Sequence, residues 1–221
     1  MKQSIEKIVN FNIKNHEIYK QAFVHKSCSD VESNERLEFI GDSVLNFVVA
    51  HYLYEKYPHE YEGFLTRIRT KMVSGKALSK IALDIKLDEH IQMNEKAMNN
   101  GWNKNSNILE DALESLIGAV YLDAGVEKAT KFIHEKIIES FDENVLLEDT
   151  NYKDILMRYV QGRKVKLPEY KLINELKTGF AKEFQINIYI EGKIVSEGIH
   201  KVKKQAEQIA AKRALTCFNL V

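Results

Sequence analysis

The chain has 221 residues, with 32 Lys+Arg against 32 Asp+Glu and 44% apolar residues, an ordinary globular composition for one or two domains. No apolar run approaches the roughly 18 residues that span a bilayer, and no N-terminal signal pattern is present, so a membrane partner is not expected. Cys28 and Cys217 are the only cysteines and stand near opposite ends, and the seven His are scattered. This argues against a disulfide framework or a zinc site and for free thiols in a reducing cytoplasm.

From Gln3 to about Phe141 nearly every segment reads as helix, with Pro58 the only proline and Gly63, Gly75, Gly101 and Gly125 punctuating turns. The run Asn34 to Leu45 carries Glu35, Glu38 and Asp42 at offsets 0, 3 and 7. On a helix these fall within an arc of roughly 60°. Phe39, Leu45 and Val49 lie at or beside the same arc, and Leu37, Ile40, Val44 and Val48 cover the other side. A helix apolar nearly all round is expected to be buried. Buried carboxylates need a positive partner, and a hard divalent cation is an economical one.

Asn99 to Asn105 reads as a polar loop, and a second helical run, Ile108 to Leu122, follows it. Asp111 and Glu114 are three apart and share a face. Gly118 is close to that face and would let another helix approach. Two acid-bearing, mostly apolar helices are what a four-carboxylate cation site in a helical bundle requires.

Residues 142–151 form a short acidic connector, and the texture then changes. Residues 151–221 carry 14 Lys+Arg and 7 Asp+Glu, a charge of +7, which leaves 18 against 25, or −7, for residues 1–150. This pattern suggests a polyanion-binding module tethered to a cation-using one. Tyr152 to Gln161 is a helix candidate, and a strand opens near Pro168 and runs to about Leu176. Lys177–Gly179 is a turn. Phe184, Ile186, Ile188 and Ile190 alternate with period two, Glu191-Gly192 is a tight hairpin turn, and Lys193 to Glu197 is a third strand. Lys203 to Phe218 is a final helix with Ala206, Ile209, Ala210, Ala214 and Leu215 facing the sheet. The expected fold is therefore an all-α helical bundle (1–145), a linker (146–151) and a small α+β domain of order α-β-β-β-α (152–221).

Three segments resemble a known family. Asn34-Glu-Arg-Leu-Glu-Phe-Ile-Gly-Asp-Ser-Val-Leu45 is similar to the signature of bacterial ribonuclease III. Glu110 to Gly125 resembles its second acidic motif, and Ala22-Phe-Val-His-Lys-Ser27 its N-terminal segment. The resemblance covers nearly the whole chain. It implies a metal-dependent endonuclease domain followed by a double-stranded-RNA-binding domain. By position, Glu38, Asp42, Asp111 and Glu114 match the metal-coordinating carboxylates, with Asp42, Glu114, Glu35 and Glu62 in catalytic roles. Glu62 matches an acid near the substrate and dimer interface, and Phe39 an aromatic that plugs a pocket of the partner subunit.

The resemblance implies Mg²⁺, with Mn²⁺ as a substitute, no small-molecule cofactor, and a homodimer cutting both strands of duplex RNA. The expected products carry 5′-phosphates and 3′-hydroxyls, from ribosomal-RNA precursors and other structured RNAs. RNA contacts are expected from Gln161, Arg163, Lys182, Lys201, Lys203 and Lys204. Lysines at a helix start oppose the helix dipole unless an anion is present. The RNA-binding module departs from the family pattern at Met157, Phe180, His200 and Val202, where polar or small residues are usual. Weaker or more salt-sensitive RNA binding is expected from this. Asn46, where an acid is common, carries little weight. The alternative reading is a double-stranded-RNA-binding regulator or scaffold that does not cleave.

Overall fold

The computed structural model describes residues 2–28, 32–148, 151–178 and 181–220. The chain divides into two compact units, Met1–Leu147 and Glu148–Val221.

The first unit contains α1 (Lys2–Val9), α2 (His16–Gln21), α3 (Glu35–Lys56), α4 (Glu62–Met72), α5 (Gly75–Asp84), α6 (Glu95–Asn99), α7 (Ser106–Lys136) and α8 (Glu143–Leu147). Val24 and Gln92 form an isolated parallel bridge. α3 and α7 supply the centre of the core. Leu45, Val49 and Leu53 on one, and Leu109, Leu113, Leu116 and Ile117 on the other, are almost fully buried. Two glycines set how closely these helices approach. A Cβ on Gly41 would fall 1.8 Å from the Glu114 carbonyl oxygen, and one on Gly118 would fall 2.3 Å from the Leu37 carbonyl oxygen. The backbones are therefore in contact, with no side chain between them. The Ser115 hydroxyl donates to the Asn34 carbonyl at 3.2 Å, which pins the start of α3 to α7. Further along α7, Asp123 accepts from the backbone N–H groups of Lys14 (3.0 Å) and Asn15 (2.8 Å) and from the Tyr19 hydroxyl (3.2 Å), anchoring the entry to α2. Gly125, at φ 84°, breaks the helical path of α7.

One sequence expectation changes here. The apolar content of α3 does not mean burial on every side: Phe39, Phe47 and Tyr54 are 76%, 61% and 72% exposed. They lie along one stripe of α3 that the described residues of the first unit leave uncovered. Within the acidic connector the structure forms α8, and Leu146 is buried in the bundle core.

The second unit runs α9 (Tyr152–Gly162), β1 (Glu169–Thr178), β2 (Ala181–Ile190), β3 (Lys193–His200) and α10 (Lys203–Cys217). The sheet is antiparallel in the order β1-β2-β3. β1 and β3 extend beyond the expected ends, while Gly179 and Phe180 lie outside the described residues. Glu191 and Gly192 both have positive φ (52° and 78°), the paired left-handed conformation that a two-residue hairpin needs. Ile186 and Ile188 are the fully buried members of the alternating strand. Ile188 shares a core cluster with Leu156 and Val160 of α9 and with Ala210, Ala211, Ala214 and Leu215 of α10, and Ala206 is also buried. Ala211 thus joins the expected buried set, and Ile209 is only half-buried. Gly198 permits the contact, because a Cβ there would fall 2.2 Å from the Ala206 carbonyl oxygen. The observed architecture is an all-α unit followed by an α-β-β-β-α unit, as the sequence implied.

Candidate active site

The backbone contact of α3 with α7 turns the acidic faces of both helices toward one open cavity of about 870 Å³. Glu38 and Asp42 line it from α3, and Glu110, Asp111 and Glu114 from α7. His25, Lys26, Phe39 and Trp102 are also part of the wall. Glu114 is the deepest acid, only 8% exposed. Among the described residues no hydrogen-bond or ion-pair partner reaches its carboxylate. Burial, reinforced by the charges of Asp42, Glu110, Glu38 and Asp111, pushes its pKa up to about 8. Glu38 is raised by burial and by Asp111 and Glu35. Asp111 is raised by burial, with Lys26 and His25 acting in the opposite direction. The cavity is therefore a concentration of negative charge that the protein compensates only in part.

All five groups are hard oxygen donors, the set that Mg²⁺ and Mn²⁺ favour. As the side chains stand, no three acidic, His or Cys groups among the described residues close to ligand distances. Gathering around an ion requires side-chain rotation, for which the open cavity leaves room.

The other expected site residues are placed differently. Glu35 is exposed at the start of α3, accepting from the Ser33 hydroxyl at 3.1 Å and pairing with Lys26 at 3.5 Å. Its charge still reaches the cavity through Glu38 and Asp111. Glu62 is exposed at the first position of α4, where it accepts from the Thr66 hydroxyl at 2.8 Å, and it does not line the cavity. Phe39 lines the cavity and also faces solvent.

In the second unit, Lys201, Lys203 and Lys204 are exposed around the start of α10, with no ion-pair partner among the described residues. Val202, the residue before the helix, supplies no side-chain cap. Its own N–H is taken by His200 Nδ1 at 2.9 Å. Met157 and Lys204 line the same groove of about 410 Å³. Gln161 is exposed at the end of α9. Arg163 lies 3.9 Å over the Tyr159 ring, which stacks on Phe218. Lys182 pairs with Glu175 at 2.8 Å and lies over Phe184, so its charge is partly used inside the fold.

The Ribonuclease-III-like family model matches residues 15–141, and the double-stranded RNA binding motif matches residues 152–216. The chain belongs to the ribonuclease III family. The chain is 37% identical to Ribonuclease 3 of Aliarcobacter butzleri over 214 residues, covering 96% of this chain and 95% of that protein. A protein of Paramecium bursaria Chlorella virus 1 is 42% identical over 216 residues, covering 97% of this chain and 78% of that one. The solved nuclease domain of Campylobacter jejuni ribonuclease III, whose description refers to a region involved in dimer formation, aligns with a TM-score of 0.61 at 37% identity. It covers 63% of this chain and 97% of that structure. Members of the family are double-stranded-RNA endoribonucleases, and they are metal-dependent.

For this family member the structure draws in groups to which the sequence gave no role at the site. Asn46 donates from its side chain to the Asp42 carboxylate at 2.6 Å and to the Asp42 carbonyl at 3.0 Å, holding that acid one turn along α3. The i, i+4 spacing is the signal that could have shown it. His25 and Lys26 lie within a segment that resembles the family, but only the fold brings that segment to the cavity wall.

Proposed function

We propose that the protein hydrolyses phosphodiesters of double-stranded RNA with Mg²⁺, or Mn²⁺ in its place, held by Glu38, Asp42, Asp111 and Glu114. The observation that carries this is Glu114: an acid only 8% exposed, with no hydrogen-bond or ion-pair partner among the described residues, in one cavity with four other acids. Such a group is unfavourable in the empty fold and favourable around a divalent ion. A bound divalent ion supplies Lewis-acid stabilisation of the phosphorane and an activated water. The chain's part is orientation: Asn46 fixes Asp42, and the glycine crossing fixes Glu114 opposite it. We assign Glu35 to the rim of the site and Glu62 to the substrate side near the dimer interface.

The active form is a homodimer. The uncovered aromatic stripe of α3, with Phe39 at its cavity end, is the face we assign to the partner copy. A two-fold pair presents one acidic site to each strand of a duplex. The lysines at the start of α10 contact phosphates, and Gln161 the minor groove, of A-form RNA read by shape. We place this activity in the cytoplasm, on ribosomal-RNA precursors and other structured transcripts. Among the described residues no helix is long and apolar enough to cross a membrane.

The test is cleavage of a labelled RNA duplex of about 35 base pairs, long enough for two modules that each span about 16. Wild type should cut in Mg²⁺, stop in EDTA, and leave 5′-phosphate ends. Glu114→Gln should bind the duplex and cut it more than about 100-fold slower, beyond the loss common for outer-shell changes at metal sites. Wild-type cleavage by Glu114→Gln would overturn the assignment. Binding without cutting by wild type, in both Mg²⁺ and Mn²⁺, would favour a scaffold.

A further inference from the structure

Glu110 is absent from the ligand set that the family resemblance assigns. On α7 it precedes Glu114 by four residues, so it stands about 40° from Glu114 around the axis, as well aligned as Asp111. The structure places it in the same cavity as Glu38, Asp42 and Glu114. Its carboxylate rests against Gly75, the first residue of α5: a Cβ built on Gly75 would fall 2.2 Å from Oε2 and 3.0 Å from Oε1. The bare glycine therefore leaves the space that this carboxylate fills.

The ordinary explanation would be that Glu110 caps α5. That helix is already capped, since Ser74 Oγ accepts from the Ala77 N–H at 3.4 Å. Among the described residues Glu110 has neither a hydrogen bond to α5 nor an ion pair. Its neighbours are acids, and its charge acts on Glu38 and Glu114 across the cavity. The dipole at the start of α5 favours this carboxylate in part, but an acid with no partner among the described residues, in one cavity with four other acids, is placed where a cation would favour it further.

We infer that Glu110 is a fifth carboxylate of the cation site, positioned by Gly75, and that it raises the affinity of the site for a divalent ion. The inference rests on the cation site proposed above and extends it.

The test is Mn²⁺ titration of the full-length protein without RNA, by electron paramagnetic resonance, together with thermal melting in EDTA. Glu110→Gln should weaken Mn²⁺ binding by about tenfold or more. It should also raise the melting temperature in EDTA, because one like charge is removed. Gly75→Ala, which displaces the carboxylate and leaves its charge in place, should weaken Mn²⁺ binding by a smaller factor with unchanged circular dichroism. Unchanged Mn²⁺ affinity in both variants, with a lower melting temperature for Glu110→Gln, would make Glu110 a structural group and overturn the inference alone. Failure of wild type to bind Mn²⁺ at all would overturn the cation site as well.

Discussion

The two units of this chain handle charge in opposite ways. The helical unit gathers five acids around one cavity and buries the central one, Glu114. The α-β-β-β-α unit keeps Lys201, Lys203 and Lys204 in water and partly uses Lys182 and Arg163 inside its own fold. Clustered, desolvated like charge weakens a fold, so it persists where a ligand compensates it. Exposed charge has little effect on stability and says correspondingly little about function. The acidic site can therefore be argued from energetics, whereas the RNA-facing surface rests more on the match to the double-stranded RNA binding motif.

The largest expected effect breaks the geometry of the first unit. Gly41→Ala places a Cβ 1.8 Å from the Glu114 carbonyl, so α3 and α7 must separate. Overpacking of this kind costs about 3 kcal/mol or more, read in urea unfolding, and cleavage should be lost with it. Gly63→Ala is the control: nothing lies within 4 Å of its Cβ, and exchanging an exposed helical glycine should stabilise by up to about 1 kcal/mol. Equal behaviour of the two variants would remove the crossing from the account of the site.

The second unit is tested by salt. Replacing Lys201, Lys203 and Lys204 together with Ala should reduce the slope of log affinity for duplex RNA against log salt by about 3. Lys182→Ala should change it by clearly less than about 1, because Glu175 already neutralises part of that charge. A larger effect from Lys182 than from the three lysines would move the RNA surface to the β1–β2 end of the sheet.

Phe39→Ala examines the uncovered stripe of α3. If Phe39 anchors a partner copy, the dimer dissociation constant should rise on the order of 30-fold, the size of a hot-spot loss, in sedimentation measurements. The monomer's own stability should be nearly unchanged, since the side chain is 76% exposed. Unaltered association would take the interface elsewhere.

A further comparison concerns pH. In the metal-free fold Glu114 keeps its proton up to about pH 8, whereas its ordinary value is 4.5. Between those values the folded state binds more protons than the unfolded state, so stability falls as pH rises through the window. Melting in EDTA from pH 5 to pH 8 should show this decline, and Glu114→Gln should flatten it. An equal decline in both proteins would assign the effect to other groups.

Much of this organisation was legible in the chain. The acids at offsets 0, 3 and 7 fixed one face of α3, and the even-numbered Phe184 to Ile190 gave the central strand. Glu191-Gly192 gave its turn, and the reversal of net charge near residue 150 separated the two units. Less was legible at the site. Glu62 and Glu110 looked alike as acids in helical runs, yet the fold puts Glu110 in the cavity and leaves Glu62 outside it. The apolar pattern of α3 by itself would bury Phe39, which is 76% exposed; only the family resemblance assigned it to a partner subunit.

The sequence alone determined the features set by local periodicity: the helices, the strands, the phase of each apolar and acidic face, and the family motifs those faces carry. The tertiary structure decided which faces meet. Only it showed that Gly41 contacts the backbone of Glu114, that Gly75 makes room for Glu110, and that Glu175 takes up Lys182. The reason is physical. A residue's angle around its own helix is set by the residues beside it, whereas its distance from another element depends on contacts between segments far apart in the chain.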